Sequence, residues 1–489
     1  MANTNQPNII LIMSDQHSPC VLGSAGNRII QTPNLDRLAL SGMFFDHAYC
    51  ASPVCVPSRM AFLTSQHCSD IRVWSNNCFL SSHIPTFVHS LGAAGYETVI
   101  SGRMHFVGPD QSHGFEKRIC GALYGSAHDS PKWESGPIPR TTINSKRIAI
   151  EVAGPGDTTF LAFDEDVAKA GCEYLRRYNG RRPFFLTVGF FLPHHPFICR
   201  GEDYEYYKGK ITMPETPKGY FENLPPVLQD YTKKAHGFDP DSLTDKEILR
   251  ARTAYYGMVT HMDRLCGEVL EALESSGQTQ NTVVIYVSDH GEMLGDRKLW
   301  WKWSFLEASV RVPLIISWPE RLPSNTRIPE IISLLDIGPT LIDIAGGEQL
   351  PNAIGNSMRS VLFDEPSRSS WPNEAIAEIS DKGDIPPGRM IRKGPWKLVK
   401  YHGHKPLLYN LEENPEEIYD RAEVPENKAI VRNLLEQVQK GWDGELILRA
   451  CNRNKKDLAV LAKYYNKVRP AEPFRWHSSK AHNVHPVLD

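Results

Sequence analysis

Apolar positions in the first two thirds of the chain come in short unbroken runs rather than in alternation. Residues 8–13, Asn8-Ile9-Ile10-Leu11-Ile12-Met13, form one such run; 96–100, 184–192, 282–287 and 312–318 form others. A strand that is apolar at every position is buried on both faces, as in a parallel sheet covered by helices. Between the runs lie segments with helical spacing, at 34–40, 84–94, 164–178 and 254–276. Strands alternating with helices predict an α/β fold. Residues 202–245 are rich in Pro, Tyr and Lys and read as a long surface excursion that shapes a pocket mouth. Near residue 370 the texture changes. Residues 390–399 predict a hairpin, 408–411 a further strand and 429–442 an amphipathic helix. This divides the chain into a domain of residues 1–370 and a smaller C-terminal α+β domain of residues 371–489. The tail after Lys467 is polar and shows no strong pattern.

Composition changes the picture little. The 489 residues suffice for a large core with an appended one. Hydrophobic residues at 41% and charged residues at 23% are ordinary for a soluble globular protein. A net charge of −3 offers no basic excess for nucleic acid. The apolar runs fall far short of the roughly 20 residues of a membrane span, so no membrane is expected as a partner. The polar start, MANTNQPN, has no basic segment followed by an apolar one. A cytoplasmic location is therefore expected, or a periplasmic or secreted one if a signal peptide has been removed. The ten cysteines include no C-x-x-C pair and read as buried thiols.

Chemistry gathers where the runs end. The run at 8–13 leads into Ser14-Asp15-Gln16, and the run at 96–100 into Gly102-Arg103-Met104-His105. The run at 184–192 leads into Pro193-His194-His195-Pro196, and that at 282–287 into Ser288-Asp289-His290-Gly291. Taken singly, these are residues of helix caps, turns and solvated loops. In a parallel sheet, however, the four ends share one edge, and ligands bind outside that edge. Asp15, Asp289 and His290 then form a cation site. Two carboxylates and an imidazole suit Mn²⁺ or Zn²⁺, whereas an all-oxygen cage would suit Ca²⁺ or Mg²⁺. Gln16 could add a neutral carbonyl oxygen. Cys55-Val56-Pro57-Ser58-Arg59 opens an apolar helical segment with Pro57 in its first turn. Cys55 is placed at the helix mouth, where unpaired N–H groups favour an anion; the plainer alternative is a buried cysteine before a helix start.

Those five residues resemble the C-x-P-S-R signature of the type I sulfatases, within the alkaline-phosphatase-like superfamily. Pro7-Asn8 to Asp15, residues 32–38, Ser288-Asp289-His290-Gly291, residues 335–341 and Gly394-Pro395-Trp396-Lys397 are similar to other family segments in the same order, so the resemblance spans nearly the whole chain. Residues 101–110, His113-Gly114-Phe115-Glu116, 289–296 and 301–314 look most like choline sulfatases. Asp15-Gln16 stands where many members have two Asp, and Asp289-His290 where many have Asp-Asn. Both variants resemble the choline sulfatase and phosphonate monoester hydrolase branches. Arg103 stands where a Lys is usual, which keeps the charge but replaces a point donor by a planar fork.

The resemblance implies a large mixed, mostly parallel sheet sandwiched by helices, with the C-terminal α+β domain beside it. It implies that a maturation enzyme converts Cys55 to formylglycine. It also implies one divalent ion (Ca, Mn, Mg or Zn) held by Asp15, Gln16, Cys55, Asp289 and His290. The hydrated aldehyde would attack sulfur to give a covalent sulfated enzyme, and its second hydroxyl would then pass a proton to His105 as sulfate leaves. His194 and Lys302 fall on the leaving-group side, where with Arg103 they would bind the sulfate oxygens; Arg59 and Arg103 would orient the diol. The substrate implied is a small-molecule or saccharide sulfate ester, choline-sulfate-like or carbohydrate. For choline, the aromatic faces of Trp300, Trp301 and Trp303 are the place to look. The tail could reach a neighbouring subunit of a homo-oligomer. Two alternatives stay open: a phosphonate monoester or phosphodiester hydrolase using the same site, and an inactive protein that binds a sulfated ligand.

Overall fold

In the computed structural model, which describes residues 6–126, 146–234, 237–380 and 385–477, the unbroken runs become neighbouring strands of one sheet. Ile9, Leu11 and Met13 point into one hydrophobic core, and Ile10 and Ile12 into the other, on the opposite face. Val283, Ile285 and Val287 divide from Val284 and Tyr286 in the same way. Each such fully buried side chain contributes about 1.5–3 kcal/mol of transfer free energy, so both faces demand cover.

The nine-stranded sheet runs Thr326–Ser333, Met43–Tyr49, Leu314–Ser317, Thr282–Ser288, Asn8–Ser14, Phe184–Gly189, Glu97–Gly102 and Lys117–Cys120, with the short strand Arg311–Val312 beside Met43–Tyr49. The four strands whose ends carry the chemistry are adjacent and parallel. Leu314–Ser317, from the apolar run at 312–318, lies antiparallel to both neighbours. Its connection from Ser288 contains only a four-residue α-helix, Glu307–Val310. The chain therefore turns back instead of making the helical crossover that a parallel strand needs.

Helix Thr159–Arg177 packs on helix Asp245–Ser275 over one face of the sheet. Both begin earlier than their apolar spacing shows. Thr158 caps the first at the Leu161 N–H. Thr244 and Glu247 form a capping box at the start of the second, ahead of its polar first turns. The 84–94 segment is helical only from Phe87 to Ala93, because Thr86 and His89 cap it there. The excursion after Cys199 carries helices Gly201–Tyr207 and Pro226–Lys234 and brings Phe238 edge-on to Trp301.

The strands Glu374–Ile379, Gly388–Lys393, Trp396–Tyr401 and Leu407–Asn410 form a separate antiparallel sheet. Helix Lys428–Gln439 covers it, with Leu434 and Val438 on Ile391, Leu398 and Leu408. The 25-residue helix Gly444–Val468 was not anticipated; only Gly444, Ile447 and Cys451 on it are buried, which leaves a weak apolar signature. Beyond it the chain returns to the large sheet. Phe474 and Trp476 bracket Ala122 through backbone hydrogen bonds, and the Trp476 indole donates to Asp166 at 2.9 Å. Among the described residues no helix is long and apolar enough to cross a membrane.

The small sheet is tied to the large one by a buried ion cluster. Lys397 Nζ lies 3.0 Å from Glu307 and 2.7 Å from Glu417, with its side chain fully buried. Tyr49, from the large sheet, donates to Glu307 at 2.9 Å and receives Arg392 Nε at 3.2 Å. Lys397→Ala would leave the buried Glu417 carboxylate and the half-buried Glu307 carboxylate with less compensation. It should lower stability by about 3–5 kcal/mol, read as an earlier denaturant midpoint, whereas Lys397→Arg, which keeps the charge, should lose less.

Candidate active site

The strand ends place their side chains in one buried pocket. Asp15 and Asp289 follow adjacent strands, and the Asp289 N–H donates to Ser14 O at 3.3 Å. Helix Cys55–Thr64 points its N-terminus at them, with Cys55 at its first position. No side chain of the preceding Val54 caps that end, and Asn76 Oδ1 takes the Val56 N–H at 2.9 Å instead. Ser58 Oγ donates to Asp289 O at 2.6 Å, docking the helix on the strand end.

Arg59, from the same helix, is fully buried and joins the two carboxylates. Its Nε donates to Asp289 Oδ2 at 2.8 Å and its Nη2 to Asp15 Oδ2 at 3.1 Å. Nη1 and Nη2 also reach the carbonyls of Arg103 and Ser14. Arg59 therefore holds the two carboxylates in place beside Cys55. Arg103 Nε donates to Asp15 Oδ2 at 2.8 Å and its Nη2 to His105 Nδ1 at 2.7 Å. Its Cζ lies 4.7 Å from the Tyr124 ring centre and 5.1 Å from that of Phe191. Its Nη1 is buried with no hydrogen-bond acceptor in good geometry among the described residues.

One donor atom each from Asp15, Cys55, Asp289 and His290 lie within 4.8 Å of one another, all buried. That span lets a single ion touch all four at about 2.0–2.4 Å. The histidine is prepared for it: His290 Nδ1 donates to Gly291 O at 3.0 Å, which leaves the Nε2 lone pair facing Cys55 Sγ at 3.2 Å. Burial lowers the His290 pKa to about 4, against the pull of Asp289, so the ring is neutral and able to ligate. Burial would raise the Asp15 carboxyl, but Arg103, Arg59 and Lys302 together hold it well below its usual range. Burial, then Asp15, pushes the Cys55 thiol up to about 11.

The remaining expected residues converge here as well. Lys302 Nζ sits 3.0 Å from Cys55 Sγ and 2.8 Å from Gln16 Oε1. Gln16, an expected metal ligand, adjoins the quartet through its backbone, its N–H donating to Asp289 Oδ1 at 3.1 Å. Its Nε2 faces His195 Nδ1 at 3.2 Å and a carboxylate oxygen of Glu292. His194 is buried, donates its Nδ1 proton to His195 O at 2.7 Å, and is held neutral by burial and by Lys302. His105 stacks on Tyr124 at 4.7 Å. An arginine cannot accept a hydrogen bond, so His105 Nδ1 must, and the neutral ring carries its proton on Nε2. The proton-accepting role implied for His105 thus requires the Arg103 contact to open first.

Several participants had no signal in the sequence. Asn76 and Tyr124 belong to loops of ordinary composition. Asp164, mid-helix, accepts the Phe191 and Leu192 N–H groups that shape the loop before His194, and burial raises it to about 8. Glu292 was visible beside the Asp289-His290 pair but carried no expected role; burial pushes it up to about 7.

Residues 7–347 match the sulfatase family model. The chain belongs to the sulfatase family. Residues 295–442 also match a model for the C-terminal part of N-sulphoglucosamine sulphohydrolase. The sulfatase is 32% identical over 447 residues to a choline-sulfatase of Rhizobium meliloti (strain 1021), covering 86% of this chain and 83% of that one. In structure it is similar to the phosphonate monoester hydrolase of Agrobacterium radiobacter, with TM-score 0.74 and 22% identity over 91% of this chain and 96% of that one. It is also similar to a protein solved with its substrate D-glucosamine-2-N,6-O-disulfate, with TM-score 0.70 and 20% identity over 89% and 97%. The chain is thus a sulfuric ester hydrolase on an alkaline-phosphatase-like fold, as its motifs imply.

The quartet predicts a binding stoichiometry. Isothermal titration of chelator-treated sulfatase with Mn²⁺ or Ca²⁺ should give one site per chain. His290→Ala, which removes the imidazole ligand, should weaken that site by at least about tenfold.

Proposed function

We propose that this sulfatase hydrolyses a small alkyl or saccharide sulfate ester, with an oxygen nucleophile derived from Cys55 and one divalent ion held by Asp15, Cys55, Asp289 and His290. The observation that carries this reading is the position of Cys55 Sγ, between His290 Nε2 at 3.2 Å and Lys302 Nζ at 3.0 Å, with Asp15 Oδ1 at 3.5 Å. Sγ stands where the oxygen of a converted side chain would be. A thiol pushed up to about 11 is a poor nucleophile at neutral pH, which favours conversion to formylglycine by a maturation enzyme. Such a side chain supplies, when hydrated, the oxygen that attacks sulfur. A divalent ion on the four ligands would supply the positive charge that acidifies that oxygen.

The chain's own residues account for the rest. Arg59 and Arg103 fix Asp15 and Asp289 in ligand geometry. Arg103 Nη1, buried with no acceptor in good geometry among the described residues, is a donor for a sulfate oxygen. Lys302 and His194 bind the sulfate on its leaving-group side, and the Lys302 ammonium provides the proton for the departing alkoxide. His105 presents its Nε2 proton as a donor. A choline-like or carbohydrate alcohol fits the relatives, one named choline-sulfatase and one solved with a disulfated glucosamine. The half-buried Trp303 ring, 5.7 Å from Lys302 Nζ, is an aromatic face on the leaving-group side.

The rival reading is a phosphonate monoester hydrolase, favoured by the fold likeness to one. Rates of the matured protein on an aryl sulfate and on the matching aryl phosphonate monoester decide between them. The sulfate should be turned over faster, and Cys55→Ala should abolish both rates. A faster phosphonate reaction sinks the sulfatase preference. Tight binding of a sulfated ligand with no turnover would favour the inactive-binder alternative.

A further inference from the structure

Asp164 touches none of the reacting groups, yet the turn that carries His194 hangs from it. Its carboxyl group is fully buried on helix Thr159–Arg177 and meets the chain just beyond strand Phe184–Gly189. Oδ1 accepts the Phe191 N–H at 2.8 Å. Oδ2 accepts the Leu192 N–H at 2.8 Å and also reaches the Phe191 N–H at 3.1 Å. The chain leaves the sheet after Phe190, whose N–H still donates to Met13 O at 2.9 Å. Phe191 and Leu192 are fully buried, so their N–H groups need an acceptor at this point. Three lines run from the turn to the chemistry. The Leu192 carbonyl accepts the Asp15 N–H at 3.1 Å, and the Phe191 carbonyl accepts the His194 N–H at 3.1 Å. The Phe191 ring centre lies 4.8 Å from that of His194 and 5.1 Å from Arg103 Cζ. Asp15 and Arg103 also hold each other, and Arg59 holds Asp15. Among the described residues, the other hydrogen-bond and ring partner of His194 is its neighbour His195, through the carbonyl at 2.7 Å and the ring at 4.0 Å.

We propose that Asp164 is a positioning residue for the leaving-group side of the reaction: by tying down the Phe191 and Leu192 N–H groups, it sets where the His194 imidazole stands. The inference rests on the leaving-group role given to His194 and Lys302 above. A carboxyl group suits the task because both of its oxygens accept. Oδ2 reaches both N–H groups, and Oδ1 keeps lone pairs whether or not it carries a proton, so the tie holds in either protonation state. An amide of the same shape cannot do this. One of its two ends is NH₂, which would meet a backbone N–H donor to donor.

The test is Asp164→Asn, read on two kinds of ester. An alkoxide needs a proton to leave and a nitrophenolate does not, so a displaced His194 should separate them. On choline sulfate or a glucosamine sulfate, kcat should fall by about 10- to 100-fold. On nitrophenyl sulfate it should change far less, with bound metal per chain as in the parent. Crystallography of the variant should show the turn at Phe191 and the His194 ring shifted, with the pairs of Arg59 to Asp15 and Asp289 in place. If Asp164→Asn does not fold, Asp164→Ser, whose shorter side chain withdraws the acceptor without opposing the donors, must show the same selectivity. Parent-like kcat on the alkyl or saccharide ester overturns the proposal. So does an equal fall on both kinds of ester, or a fall that tracks lost metal. A parent protein inactive on every sulfate ester would count against the assigned reaction instead, and the crystallographic position of His194 would still decide the positioning role.

Discussion

Two carboxylates at the ends of adjacent parallel strands share a buried pocket because a guanidinium lies between them. Arg59 reaches Asp289 at 2.8 Å and Asp15 at 3.1 Å, and all three side chains are fully buried. Unpaired, such charges would carry a desolvation cost of several kcal/mol each. Because Arg59 sits on the helix that Cys55 opens, the same contacts fix the position of Cys55 relative to both strand ends. Arg103 adds a second hold on Asp15 and, through His105 and Tyr124, extends the rigid part toward the loop at residues 120–126.

That loop is held from far along the chain. Phe474, Trp476 and Glu472 bond to Ala122 and Ser126, and added side-chain bulk at Gly121 would collide with Trp476. The small C-terminal sheet contributes from the other side, since the Glu378 N–H donates to Ala51 O in the segment leading to Cys55. The Glu378 carboxylate also receives Ser69 and Arg389. The catalytic pocket is thus braced by residues separated from it by hundreds of positions, and those braces carry no local motif.

This separation explains what could be read in advance. The continuous runs at 8–13, 96–100, 184–192 and 282–287 are local, and a double-faced core follows from them. So does the gathering of Asp15, Arg103, His105, His194, Asp289 and His290 at one sheet edge. The antiparallel course of Leu314–Ser317 depends on what the preceding loop is used for, which hydropathy does not record. The early starts of the long helices lie in Thr158 and Thr244, polar caps outside the apolar spacing. The contact of Gln16 with Lys302, 286 positions away, carries no local signal. The helix Gly444–Val468 buries too little to announce itself.

The sulfatase membership, the fold and the buried quartet all depend for their chemistry on what Cys55 becomes. Peptide mass spectrometry of the Cys55-containing segment, from protein co-expressed with a maturation enzyme, tests this most directly. Replacement of the thiol by an aldehyde lowers the mass by about 18 Da, distinct from the gains of ordinary cysteine oxidation. The account predicts that shift, with activity on a sulfate ester rising in proportion to the converted fraction. An unconverted thiol, under conditions that convert another sulfatase fully, combined with undiminished activity, would contradict it.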